Sequence, residues 1–165
     1  SDCLVGSEMC IRDSLKSARQ AGKKIAFDPN LRPKLWSDKK EMCDTIMAGA
    51  KLSDIILPSF EDEKTWFSDA DPMSTLKRYR KVGAEIVVVK NAGEPVSFIS
   101  NQGAGTHQVE TIRTAVDSTA AGDSFNSEIL VGILRNIPLT EAIRNGAILA
   151  KKVIMGHGAL IKNDI

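Results

Sequence analysis

The chain is 165 residues long, 42% hydrophobic and 26% charged, an ordinary globular composition that suits one domain or most of a larger one. With 22 basic against 21 acidic side chains the net charge is +1, which gives no electrostatic support for a nucleic acid or an anionic membrane as partner. No apolar run approaches the roughly 20 residues of a membrane helix, and the three cysteines, Cys3, Cys10 and Cys43, fit neither a zinc nor a disulfide framework, so they read as reduced thiols of a cytoplasmic protein.

The first stretch, SDCLVGSEMCIRDS, holds no helix or strand period and lacks the basic-then-apolar order of a signal peptide. Residues 1–13 are read as non-native or as a frayed N-terminus, and residues 14–165 as the folded part. Leu15, Ala18 and Arg19–Ala21 read as the end of a helix stopped by Gly22. Lys24–Asp28 reads as a strand, and Ser37–Ala50 as a helix in which Asp38 and Glu41 have capping-box spacing. Asp54–Leu57 is a strand ended by Pro58; Ser59 caps a short helix, and Asp71-Pro72 opens another with proline in the first turn. The β-branched run in Glu85–Lys90 predicts a buried strand. Val96–Ser100 and His107–Val109 are expected to pair antiparallel around a loop, Asn101–Thr106. Gly122–Asn136 is a helix, and another runs from Leu139 or Thr140 to Met155 with Ile143, Ala147, Ala150 and Ile154 on one apolar face.

Strands alternating with helices favour an α/β fold with a mostly parallel sheet. Ligands on such a sheet sit beyond the carboxyl ends of the strands. Three polar clusters fall there: Asp28–Arg32, Ser59–Asp62 and Asp117–Asp123.

In Asp117–Asn126, DSTAAGDSFN, the small residues Ala120, Ala121 and Gly122 open an apolar helix. A helix N-terminus presents unpaired N–H groups and the positive end of the dipole, and small side chains let an anion come close to them. Asp123, in the same turn, can accept a hydroxyl proton while those N–H groups hold the charge of a transferring phosphoryl group. The same residues also suit a plain N-terminal turn, its aspartate contributing about 0.3–1 kcal/mol. The stretch resembles the second signature of the ribokinase-like (PfkB-type) carbohydrate kinases, where a small-small-Gly-Asp turn precedes a Phe-containing helix. The resemblance implies a ribokinase-like three-layer αβα fold. It makes Asp123 the base at the sugar hydroxyl and Ala120, Ala121 and Gly122 the anion hole, with Gly122 also at the nucleotide. Glu128 stands where family members carry a small residue, either as a solvent-facing charge or as a sign of altered function.

Lys90-Asn91-Ala92-Gly93 is either a hairpin turn with a snorkelling lysine or, by the resemblance, a strand end whose Lys90 and Gly93 line the ATP site. Asn145 is a poor helix former inside a helix. It is either solvated or, because AIRNGAILAKKVIMGHGAL resembles the family's final helix, at the border of the adenine. His157 reads as a loop residue. Ser59-Phe60-Glu61-Asp62 occupies the place of the family's Asn-x-x-Glu motif, which implies Ser59 on the nucleotide side and Asp62 towards the metal. The shorter aspartate leaves Glu61 or Glu63 as substitutes, and a capping box explains Ser59 and Asp62 equally well.

Two prolines stiffen Asp28-Pro29-Asn30-Leu31-Arg32-Pro33 and so set Asp28, Asn30 and Arg32 at the ligand edge. Arginine matches a planar carboxylate through two parallel N–H···O bonds; a structural Arg–Asp pair is the other reading. FDPNLRPKLW resembles the segment found in 2-keto-3-deoxygluconate kinases and related fructokinase-like members, which implies substrate contacts from Asp28, Asn30 and Arg32. The resemblance thus implies phosphorylation of a sugar acid by ATP with Mg2+ and a monovalent cation, in a homo-oligomeric parent protein. It covers residues 14–165 and omits the family's N-terminal half and lid, so the chain alone is expected to be a poor kinase. A non-catalytic nucleotide- or sugar-binding module on the same fold is the alternative.

Overall fold

The computed structural model describes residues 13–110 and 119–156. Cys3, Cys10, Asp117, Ser118 and His157 lie outside the described residues. Residues 13–20 are helical (α1), and the helix ends at Gly22 as expected. The Gly22 N–H donates to the Arg19 carbonyl at 3.0 Å and the Lys23 N–H to that of Ala18 at 2.9 Å, which satisfies two end carbonyls.

Five strands form one sheet in the order β1-β2-β3-β4-β5: β1 Ala26–Phe27, β2 Ile55–Ile56, β3 Ile86–Val89, β4 Val96–Ser100 and β5 Gly103–His107. β1, β2 and β3 run parallel, with Phe27 opposite Ile56 and Ile56 opposite Val87, and β4 is antiparallel to β3. The strands expected over Lys24–Asp28 and Asp54–Leu57 contract to two residues each. Single backbone bonds continue the pairing: Asp54 N–H to the Ile25 carbonyl at 2.9 Å and Leu57 N–H to that of Phe27 at 2.9 Å. Pro58 then ends the second strand because it has no N–H to give.

The expected loop Asn101–Thr106 is corrected. Only Asn101 and Gln102 separate the strands, and β5 starts at Gly103 rather than His107. Gly103 takes the positive φ of 138 that turns the chain into β5, and Gly105 marks a close approach. A Cβ on Gly105 would lie 3.0 Å from the Phe98 ring, so only glycine lets the strand pass that side chain without a shift.

The described residues form two compact units, one reaching Asn91 together with Ser97–Gly105, the other Ala92–Val96 together with the chain from Thr106 onward. In the first, Ala50, Ile56, Leu76, Tyr79, Ala84, Val87 and Val89 form the core. Helices α2 (Lys39–Ala50) and α4 (Pro72–Lys81) supply its outer members, and the short α3 (Phe60–Trp66) lies between them in sequence. The expected caps are present: Asp38 accepts from the Glu41 N–H at 2.8 Å and Asp71 from the Ser74 N–H at 2.7 Å, with Pro72 opening α4. Ser59 sits at the N-cap of α3, but its side chain makes no capping bond, so the capping-box explanation of Ser59 and Asp62 fails.

In the second unit, α5 (Ala121–Leu134) packs on α6 (Leu139–Ile154). The buried stripe of α6 is Ala142, Ile143, Gly146 and Val153; Ala147, Ala150 and Ile154, expected to be inside, are only half-buried. The stripe is rotated because small residues set the closest helix contact. A Cβ on Gly132 of α5 would lie 2.5 Å from the Cβ of Ala142. Gly132→Ala is therefore expected to destabilise the protein. Overpacking costs about 1–3 kcal/mol, more than the roughly 1 kcal/mol that alanine gains over glycine in a helix. A urea melt checks it, and an unchanged or higher midpoint would contradict the close contact.

Candidate active site

Because β1, β2 and β3 are parallel, their carboxyl ends share one edge of the sheet, and each is followed by one of the polar motifs. Asp28 follows β1, Ser59 follows β2 and Lys90 follows β3. The Lys90 ammonium donates to Asp28 Oδ2 at 2.7 Å, the two side chains being 16% and 26% exposed. Asp28 Oδ1 accepts from the Asn30 N–H at 3.0 Å, which closes a local turn and holds Asn30 at φ 36, a conformation that asparagine tolerates. The Lys90 main chain is fixed from both sides. Its N–H donates to the Pro58 carbonyl at 2.9 Å, and its carbonyl accepts from the Phe60 N–H at 2.8 Å. Ser59 pairs in parallel with Lys90.

Arg32 is exposed, and its Nη1 donates to the Leu31 carbonyl at 3.2 Å. Among the described residues it forms no ion pair, so the structural Arg–Asp pair is absent; the cation bound to Asp28 is Lys90. Asp62, half-buried on α3, faces the same loop. Burial pushes its carboxyl above the usual range and the charges of Glu61 and Asp28 add to this, while Arg32 and the Leu31 N–H pull it back. The structure therefore brings Asp28, Asn30, Arg32, Asp62 and Lys90 into one cluster. The sequence had divided them between sugar, metal and nucleotide.

Glu63 is removed as a metal ligand. It is 0% exposed, its Oε1 accepts from the Tyr79 hydroxyl at 3.0 Å, and its Oε2 pairs with the Arg78 guanidinium. Arg78 also binds Asp69 at 2.7 Å and lies over the Phe67 ring at 3.9 Å. Asp69 in turn accepts from the Thr75 hydroxyl at 2.7 Å. Sequence reasoning missed this network, because partners 15 residues apart on different helices leave no periodic signal. Among the described residues no group of three or more His, Cys, Asp or Glu side chains is built to hold a metal ion. A single half-buried carboxylate is still the kind of donor that suits Mg2+, which binds through one or two carboxylates plus substrate phosphates.

In the second unit, Ala120 is the N-cap of α5 at φ 60 and ψ 9, and its methyl side chain has no acceptor with which to cap the helix. A left-handed alanine costs roughly 1–2 kcal/mol, and strained positions of this kind cluster at functional sites. Asp123 lies in the first turn. Phe125, Asn126 and Ile129 are buried, which fixes the rotation of the helix and leaves Gly122 and Asp123 exposed. Glu128 is half-buried. Ala92 is also left-handed, at φ 39, directly before Gly93. Asn145 is half-buried on α6.

The model of the pfkB family of carbohydrate kinases matches residues 6–165. A 2-dehydro-3-deoxygluconokinase of Haemophilus influenzae is 36% identical over 151 residues, covering 90% of this chain and 48% of that protein. Among solved structures, a PfkB protein from Polaromonas sp. JS666 superposes with a TM-score of 0.79 at 30% identity, over 88% of this chain and 47% of that one. The aminoimidazole riboside kinase of Salmonella enterica superposes with a TM-score of 0.78 at 23% identity, over 90% and 52%, which bears on the fold alone. The fold is ribokinase-like. The chain spans about half the length of the curated relatives it matches.

Proposed function

The chain belongs to the pfkB family of carbohydrate kinases, and on that basis we propose that the protein transfers the γ-phosphoryl group of ATP to a hydroxyl of a sugar acid, 2-keto-3-deoxygluconate. The observation that carries the reading is the first turn of α5, a helix start whose N-cap is a left-handed alanine with no capping side chain of its own and which has an exposed carboxylate in the same turn. Asp123 takes the proton of the attacking hydroxyl. The N–H groups around Ala120, Ala121 and Gly122 hold the charge of the transferring group, so the catalysis is mainly positioning and electrostatics. Mg2+, when bound, neutralises phosphate charge, and Asp62 is the carboxylate that would hold it. The strand ending at Lys90, with Ser59, Gly93 and Asn145, serves the nucleotide.

The sugar acid is favoured by Arg32, an exposed guanidinium on a stiff turn with no ion pair among the described residues. It is favoured also by the function carried in the name of the Haemophilus relative. The test is sugar-dependent ADP release by the full-length protein over a panel of sugar acids and neutral ketoses. Turnover with the keto-deoxy sugar acid is expected. A preference for a neutral ketose overturns the substrate, and ATP binding without turnover on any sugar overturns the kinase reading.

Arg32→Lys, assayed in the same protein, is expected to weaken the sugar acid by on the order of 1–3 kcal/mol and a neutral ketose much less. Lysine keeps the charge and loses the fork that grips both carboxylate oxygens. Equal weakening of both sugars would make Arg32 structural.

A further inference from the structure

Burial alternates along the segment after β1: Pro29 and Leu31 are buried, Asn30 and Arg32 exposed. The two side chains that the functional reading gives to the sugar thus share the outer side, and the two apolar ones face the protein. Leu31 is 4% exposed and forms a cluster with Met42 and Ile46 of α2, against which Trp36, Cys43, Trp66 and Phe67 pack. That seat is stiff. Trp66 ends α3 and Phe67 follows it, its ring 3.9 Å from the Arg78 guanidinium, while Glu63 of the same helix is held by Arg78 and Tyr79. The loop has fewer means of holding itself, because Pro29 and Pro33 bring no N–H to it.

We infer that Leu31 is a positioning residue for the acceptor sugar: its side chain, seated on α2 and the end of α3, fixes where Asn30 and Arg32 stand at the ligand edge. This deepens the reading of the protein as a sugar-acid kinase and rests on it for the substrate. The physical argument is which wall of a cavity gives way. Truncating a buried leucine leaves a void that its neighbours fill only in part, and segments with few buried contacts are the ones that shift. Here one wall is a pair of helices braced by a buried ion pair, and the other is a proline-bounded loop. The loop moves, and it carries Arg32 away from the substrate carboxylate. A leucine that only filled the core would lower stability and leave sugar binding alone.

The experiment uses the full-length protein with three variants. Leu31→Ala empties the seat, and Leu31→Met keeps its volume. Leu76→Ala truncates a leucine of 0% exposure in the other core cluster, on α4, and so controls for lost stability. Expected for Leu31→Ala is a rise in KM for the sugar acid of about tenfold or more, on the scale by which misplaced binding groups act, with KM for ATP little changed. Leu31→Met restores most of the loss. Leu76→Ala lowers the unfolding midpoint at least as far and leaves KM for the sugar acid near that of the unaltered protein. An unchanged KM for the sugar acid in Leu31→Ala, or an equal rise in Leu76→Ala, overturns the inference.

Amide hydrogen exchange supplies a readout that needs no activity. Under native conditions exchange at Asn30, Leu31 and Arg32 should quicken in Leu31→Ala and recover in Leu31→Met, with Leu76→Ala leaving that loop as it is. Unchanged exchange there in Leu31→Ala overturns the anchor even if the protein phosphorylates a sugar acid. Quickened exchange in a protein that never phosphorylates one leaves the anchor standing and sinks only the substrate reading. If Leu31→Ala fails to fold, Leu31→Val removes a single carbon from the seat and is read the same way, with a smaller rise in KM expected.

Discussion

Asp123→Asn in the full-length protein is expected to lower kcat by about 10²–10⁴, the usual range for loss of a general base, while nucleotide affinity stays nearly unchanged. Asparagine matches aspartate in size and can sit in the same first turn of α5, whose rotation is set by the buried Phe125, Asn126 and Ile129. What is lost is the ability to take a proton. The backbone N–H groups that would hold the phosphoryl charge are untouched, so binding of ATP should survive. Steady-state ADP release measures the first quantity and titration with a non-hydrolysable ATP analogue the second. A kcat close to that of the unaltered protein would remove Asp123 from the chemistry; an equal loss in nucleotide binding would mean that the charge supports the turn and takes no part in the chemistry.

Arg78→Met is expected to cost about 3–5 kcal/mol of stability, the range for breaking one side of a buried ion pair. The physical cause is the partner left behind: Glu63 is 0% exposed, and without the guanidinium it retains the Tyr79 hydroxyl as its bond in a site that excludes water. Asp69 loses its cation as well. Burial already pushes the Glu63 carboxyl above the ordinary range, with Arg78 pulling against it, so removing Arg78 should raise it further. The sign follows from proton counting. A carboxyl raised in the folded state binds its proton more tightly there than when unfolded, so stability falls as pH rises from the unfolded towards the folded value, and the deficit is smaller in acid. Urea unfolding near pH 5 and pH 8 measures both effects. A deficit below about 1 kcal/mol, which is what an exposed pair would give, would show the network to be dispensable. Replacing Glu63 and Arg78 together by apolar residues should recover most of the loss, because no buried charge is then left alone.

Much of the fold was legible because its signals are local. Asp38 and Asp71 cap their helices through residues three positions on, Gly22 ends α1 through bonds within its own turn, and Pro58 ends a strand by lacking an N–H. The candidate site was legible to the same depth. The turn before α5 and the stiff Asp28–Arg32 loop are contiguous in sequence, and the chemistry proposed for them rests on residue type and on their position at the end of an element.

What the sequence determined by itself was therefore the order of elements, the parallel layer, the family likeness and the segments that carry polar chemistry, since each depends on interactions within about one turn of chain. Only the tertiary structure decided which of those segments meet. Lys90 and Asp28 pair across 62 residues, Glu63 and Arg78 across 15, and neither separation carries a period that marks it in advance. The small residues were misread for a related reason. Gly105 falls in the expected loop, yet a Cβ there would press on the Phe98 ring at 3.0 Å, and nothing in the sequence singled out Gly132, where a Cβ would lie 2.5 Å from that of Ala142. Turn chemistry and capping act along the chain and can be read from it. Close packing and charge pairing act between surfaces that exist only once the helices and strands have come together.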